Sequence, residues 1–224
     1  MESPCKRRFV LLAALLSSST AALQNFGMKN PFANKKDGAS VLKLQLAFRV
    51  GAGRGQGTVL GALTSICDNA DVNTAEGIER LAQDSALALL RREREWIACA
   101  GSVQHFGNDD DALRSFDREC ISEAAKFDRE NPDRSSAPFG FPKDTVAVVS
   151  AIACCMGDRE DAVGNPKMLS GDALGVKAAL EELAAAGQVE GEIYGFELLW
   201  VPDDDEDVLD MDDLTTDWPE LLSC

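Results

Sequence analysis

From residue 41 to residue 50 the chain alternates without a break. Leu42, Leu44, Leu46, Phe48 and Val50 fall on one face, and Lys43, Gln45, Ala47 and Arg49 fall on the other. A period of two predicts a β-strand with one dry face and one solvated face. Strands of doubly wound parallel sheets are usually apolar on both faces, so this opening argues against that class. The spacing then lengthens. Val59, Leu63, Ile66 and Cys67 recur at helical intervals, and a polar break follows at residues 68–71. Asn73, with Glu76 three residues later, predicts the cap of a second helix, whose inward stripe is Ile78, Leu81, Ala82, Ser85 and Leu89.

The rest of the chain repeats this change of period. Residues 95–103 predict a strand. A helix with acids in its first turn follows, its stripe being Leu113, Phe116, Cys120, Ala124 and Phe127. After a loop rich in turn residues, 144–155 is an apolar strand. Ser170 and Asp172 open another helix and Gly187 closes it. Residues 191–201 form the last strand, with Tyr194, Phe196, Leu198 and Trp200 on one side. A short helix carrying Leu209, Leu214, Trp218 and Leu222 ends the chain. This order predicts an α+β fold, a mixed or antiparallel sheet of about four strands with helices packed on one face.

The first strand runs into "GAGRGQG" at residues 51–57, and a helix follows, the setting of a phosphate-binding loop. The spacing does not fit. A dinucleotide fingerprint, GxGxxG, places Gln56 or Thr58 where its third glycine belongs, and a P-loop requires a terminal lysine that is missing here. The expected role is a permissive strand-to-helix turn. What remains of the ligand reading is an anion contact by backbone amides at Gly53, Gly55, Gly57 and Thr58.

Charge changes the picture next. The chain has 22 basic and 38 acidic residues and a formal net charge of −16, which opposes binding to nucleic-acid phosphates. Its beginning is the reverse: Lys6, Arg7, Arg8, Lys29, Lys35 and Lys36 precede Asp37, with Glu2 the only acid among them. Residues 1–22 read as a signal peptide, with a basic start, an apolar run at 9–16 and small residues after it. Residues 23–40 read as a transit-like targeting segment, and 41–224 as a single α+β domain with an acidic C-terminal segment. A signal peptide followed by a transit-like stretch predicts import into a secondary plastid of an alga, with secretion as the alternative. The apolar run is too short to cross a membrane, so no integral segment is expected in the mature chain.

The residues assemble no catalytic, cofactor or metal set. His105 is the only histidine and lacks a GxSxG motif or a placed cysteine. Cys67, Cys99, Cys120, Cys154, Cys155 and Cys224 have irregular spacing and read as structural thiols, Cys154 and Cys155 pointing to opposite faces of a strand. In the acidic segment Asp203, Asp205 and Asp207 keep the start of an EF-hand spacing, but Val208 holds the glycine position.

Two segments carry a resemblance. "LALLRREREWIACAG" joins a helix end to an aromatic and a short strand. "GFELLWVPDDDEDVLDMDDLTTDWPELL" joins a closing strand and Trp-x-Pro to an acidic, leucine-bearing run with an aromatic-Pro finish. They resemble the family called domain of unknown function 1517, of cyanobacteria and plastids, which has a plant chloroplast member in acclimation to fluctuating light. The matching residues include Leu87, Leu89, Leu90, Arg91, Trp96, Leu199, Trp200, Pro202, Leu214, Pro219 and Leu222, which read as core and capping positions. The resemblance implies a non-enzymatic plastid protein of photosynthetic acclimation or photoprotection, acting through protein partners and without a cofactor. Plant members carry a Gly/Ser-rich stretch and hydrophobic segments before the domain. Here the leader runs almost directly into residue 41, so a stromal form, or one peripheral to the thylakoid, is expected. The alternative is a small-molecule or anion-binding regulatory domain using the glycine-rich loop.

Overall fold

A computed structural model describes residues 38–50, 57–127, 145–163, 167, 169–202, 209 and 211–224. The expected signal peptide and nearly all of the transit-like segment, Gly53 and Gly55, and Asp203, Asp205 and Asp207 lie outside the described residues.

The elements in chain order are β1 (Ala39–Val50), α1 (Val59–Asp68), α2 (Ala75–Leu90), β2 (Trp96–Phe106), α3 (Asp109–Phe127), β3 (Thr145–Met156), α4 (Ala173–Ala186), β4 (Ile193–Val201), α5 (Met211–Asp217) and β5 (Leu222–Ser223). The strands form one antiparallel sheet in the order β4-β3-β1-β2-β5, with the alternating β1 at its centre. The expected α+β class with an antiparallel sheet is what the chain adopts. The fifth strand is only two residues long, too short to leave a periodic signal.

Helix starts follow local chemistry. Thr58, Thr74 and Asp172 cap α1, α2 and α4, each side-chain oxygen accepting from the amide three residues on. Asn73 is not the cap of α2. Its backbone and side-chain N–H groups turn back to Asp71, and the cap falls one residue later. Asp109, Asp110 and Asp111 in the first turn of α3 face the positive end of its dipole.

The main core lies between one face of the sheet and α1, α2 and α4. Leu42, Leu44, Leu46 and Phe48 of β1 meet Leu63, Leu81, Leu89, Val176 and Leu180 there. The other face is also covered. Phe116 and Cys120 of α3 pack on Val41, Ile152 and Cys154, while Phe127, Leu214 and Trp218 pack on Ala47, Val148 and Leu199. The face of β1 expected to be wet is therefore buried: Gln45 is 2% exposed and Ala47 fully covered. Arg49 is exposed on that side, and Lys43 is partly so.

Tyr194 leaves the side it was expected to share with Phe196, Leu198 and Trp200, and packs against the α3 side instead. A register shift opposite Cys154 and Cys155 absorbs one residue of β4 there and inverts the alternation. Cys154 and Cys155 do point to opposite faces, one into each core.

The outer edge of β2 is occupied along much of its length. The carbonyls of Ile97, Cys99 and Gly101 accept from the backbone amides of Cys224, Gly171 and Leu169. Nearer its end the His105 amide donates to Glu160 Oε1 at 2.9 Å.

Candidate functional site

The residues with the most chemistry lie under α3. Glu123 falls in the same stripe as Phe116, Cys120 and Phe127, so helical geometry carries its carboxylate onto the sheet, where its side chain is 0% exposed. The sheet meets it with polar groups. Gln45 and Ser150 stand opposite each other in the β1–β3 ladder. Gln45 Nε2 donates to Glu123 Oε1 at 2.6 Å, and Ser150 Oγ donates to the same oxygen at 2.7 Å. The other oxygen lies 2.9 Å from Lys43 Nζ and 3.3 Å from Lys126 Nζ. Lys43 also reaches Glu119 at 3.3 Å, and Gln45 Nε2 donates to Glu220 Oε1 at 2.9 Å. Lys126 pairs with Glu220 as well, so the segment after α5 joins the cluster.

Electrostatics follow from burial and pairing. Burial alone pushes the Glu123 carboxyl up, but Lys43, Lys126 and the hydrogen bonds outweigh it and hold the pKa below the ordinary carboxylate value. Burial acts to lower the Lys43 pKa, and Glu123 with Glu119 reverses this and raises it. Glu220 is lowered against its own burial by Lys126 and Gln45. Two cations thus sit among three carboxylates, and both oxygens of Glu123 are engaged. Such a cluster pins a helix to a sheet, and its central carboxylate is not available as a base.

A second carboxylate lies one row away. Glu197 of β4 is 1% exposed and pairs with Ile152, which in turn pairs with Lys43. Burial raises its pKa, opposed by a hydrogen bond from the Cys120 thiol and reinforced by Asp117. Its Oε2 has no hydrogen-bond partner among the described residues. Glu197 is the titratable group on this face, and Glu123 is the fixed one.

A separate clamp forms at Arg159, after β3. Its guanidinium, 4% exposed, reaches Glu182 at 3.1 Å and Glu192 at 2.6 Å, and its backbone amide donates to Ser40 Oγ at 2.9 Å. It ties α4, the entry to β4 and the start of β1 together.

The sequence-level candidates are placed elsewhere. Thr58 caps α1, its Oγ1 accepting from the Gly61 amide at 3.2 Å. A side chain added at Gly57 would meet no heavy atom within 4 Å, so space does not demand glycine there. This helix start lies on the sheet face opposite the Glu123 cluster. A cleft of about 510 Å³ runs between α1 and the end of α2, lined in part by Gly61, Ala62, Ser65, Arg91 and Arg92. His105 is a half-buried residue of β2 rather than a loop residue, and its Nδ1 has no hydrogen-bond partner among the described residues. Cys67, Cys99, Cys120, Cys154 and Cys155 are buried and in no disulfide among the described residues, and Cys224 is exposed.

Sequence reasoning missed Lys43, Gln45, Glu123, Lys126, Ser150 and Glu220 as a group. The signal that could have found them was Glu123 inside an apolar stripe, with polar residues on one face of the central strand.

No helix among the described residues is long and apolar enough to cross a membrane. The family described as "Protein of unknown function (DUF1517)" matches residues 38–224, which span every described element. The chain is similar to FLUCTUATING-LIGHT-ACCLIMATION protein 1, chloroplastic, of Arabidopsis thaliana, with 27% identity over 192 residues, 81% of this chain and 46% of that protein. It is also similar to Protein FLAP1 homolog A of a Synechocystis species, with 26% identity over 182 residues, 71% of this chain and 50% of that protein. The chain spans about half the length of the curated relatives it matches. No solved structure matches it significantly.

Proposed function

Because this chain belongs to the DUF1517 family, we propose that it is a non-enzymatic plastid protein that serves acclimation to changing light by binding protein partners. The observation that carries this reading is the similarity to a chloroplastic light-acclimation protein over 81% of the chain. The site geometry agrees with a binding role. The Glu123 cluster spends its polar groups on one another, and it stiffens the fold rather than meeting a substrate.

An apolar surface suited to a partner lies near β5. Leu222, 53% exposed, packs its Cβ against the Gly171 position, and Leu174, 77% exposed, follows three residues later at the start of α4. The protein is stromal or peripheral to the thylakoid, reached through the bipartite leader. Photo-crosslinkers at Leu174 and Leu222 in plastids moved between low and high light test the partner reading. Crosslinks to a stromal or thylakoid protein, absent with a crosslinker at exposed Arg80, are expected; none at either position overturns it. A fluorescent fusion behind residues 1–36 is expected to enter the plastid, and secretion would overturn the localisation.

The cleft beside α1 favours a second reading, a small-molecule or anion-binding regulator. Arg91 and Arg92 border it near the helix that follows the glycine loop. Calorimetry with inorganic phosphate and nucleotides tests it, and heat abolished by Arg91→Ala would establish it over the first reading.

A further inference from the structure

Two clefts lie on the outer side of the α1–α2 hairpin and meet at Ser65 and Ile66, which line both. The first, about 510 Å³, joins the start of α1 to the end of α2. The second, about 430 Å³, joins the end of α1 to the start of α2, so the helices run antiparallel and the two clefts form one groove. Gly61, Ala62, Ser65 and Ile66 recur at helical spacing along it and are exposed or partly so, while Leu60, Leu63 and Cys67 turn to the core.

The groove is segregated by charge. Arg91 and Arg92 stand at one end, and Asp71 and Glu76 at the other. Arg92 is held by Glu95 at 3.3 Å, and Asp71 accepts from the Asn73 amide at 3.1 Å. Between the ends Arg80 is taken up by Asp84 at 3.6 Å. Arg91 and Glu76 are exposed, and neither side chain makes a hydrogen bond or ion pair among the described residues. They stand at opposite ends of α2, about 22 Å apart along its axis.

A surface with an unanswered cation at one end and an unanswered anion at the other is complementary to itself when turned half a revolution about its centre. We propose that this groove is the interface of a two-fold homodimer, in which Arg91 of each chain pairs with Glu76 of its partner. The axis passes near Ser65 and Ile66, where the clefts join. Gly61, Ala62 and Ser65 leave room there for close approach of the helices, and Ile66 supplies apolar contact. The two hairpins pack as four helices in two layers, with α2 antiparallel to its counterpart so that their dipoles also oppose. A small anion in the first cleft would answer Arg91 and leave Glu76 as it is.

The test is sedimentation velocity of the full chain over a dilution series, with variants at exposed positions. The wild type is expected to be a dimer that dissociates on dilution and with added salt. Arg91→Glu and Glu76→Arg each set like charges face to face and should weaken association by about tenfold. Mixing these two variants, or placing both changes in one chain, restores both ion pairs and should return the dimer. Ser65→Trp fills the groove at its centre and should abolish it. A monomer at every concentration, a dimer indifferent to the charge reversals or to Ser65→Trp, or reversals that mixing does not rescue would overturn the proposal.

Discussion

Gln45 and Ser150, paired across β1 and β3, donate to a single oxygen of Glu123 at 2.6 and 2.7 Å. Two strands and a helix therefore share one acceptor. The other carboxylate oxygen answers two lysines, and this arrangement sets the first prediction. Glu123→Ala strands Lys43 and Lys126 without their central anion and should cost about 3–5 kcal/mol of unfolding free energy, measured by urea denaturation. Glu123→Gln keeps an acceptor for Gln45 and Ser150 but not the charge, and should cost less. Equal losses in the two variants would show that the retained acceptor contributes little beside the ion pairs.

Acid should weaken the fold through this cluster. The folded pKa values of Glu123 and Glu220 lie below their ordinary values. Their stabilisation is present above the unfolded carboxylate pKa and is lost as pH falls through the lowered folded values. The denaturation midpoint should fall on the acid side of pH 4.5, and the fall should be smaller in Glu123→Gln.

Glu197 should act with the opposite sign. Its folded pKa is raised above 4.5. The associated stability is full below the unfolded pKa and is lost as pH rises through the folded value, because the unfolded chain ionises first. Glu197→Gln removes this dependence and should be the more stable form at neutral pH. A wild-type minus variant difference that stays flat from pH 4 to 8 (about the window in which such a carboxyl titrates) would contradict the assignment.

Trp218 is fully buried, and its ring meets Phe127 edge-on at 5.3 Å. Trp218→Ala should cost about 3–5 kcal/mol by cavity formation. Loss of the α3–β5 junction should also speed exchange at Leu222 and Ser223 more than at the centre of β1. Uniform acceleration would mean that β5 does not open on its own.

Gly195 lies beneath α3. A Cβ there would stand 2.9 Å from Phe116 Cε1. Gly195→Ala should cost about 1–3 kcal/mol by overpacking. Phe116→Leu in the same molecule should recover part of the loss, a coupling expected only of touching residues. Additive losses would place the strain elsewhere.

The elements were readable because their periods are clean. β1 alternates over its length, and the stripe of α3 identified Phe116, Cys120 and Phe127, all buried. The candidate site was not readable for the reason that hid the second helical layer. Lys43 and Gln45 on an alternating strand signal water in most sheets, and here they signal a buried carboxylate. Deciding between these needs the partner helix, which lies about 80 residues away in sequence. Tyr194 misled through a register shift, which the periodicity of β4 does not mark. The two-residue β5 is positioned by Trp218 and Leu221, tertiary contacts with no local signature.

The occupied edge of β2 bears on how the sheet could grow. The carbonyls of Ile97, Cys99 and Gly101 already receive backbone donors from Cys224, Gly171 and Leu169. An incoming chain would find no free template along that stretch, and pairing there would first have to evict native segments. The molecule is thus guarded at this edge against strand-by-strand polymerisation. A partner arriving on this side must recognise side chains rather than extend the ladder.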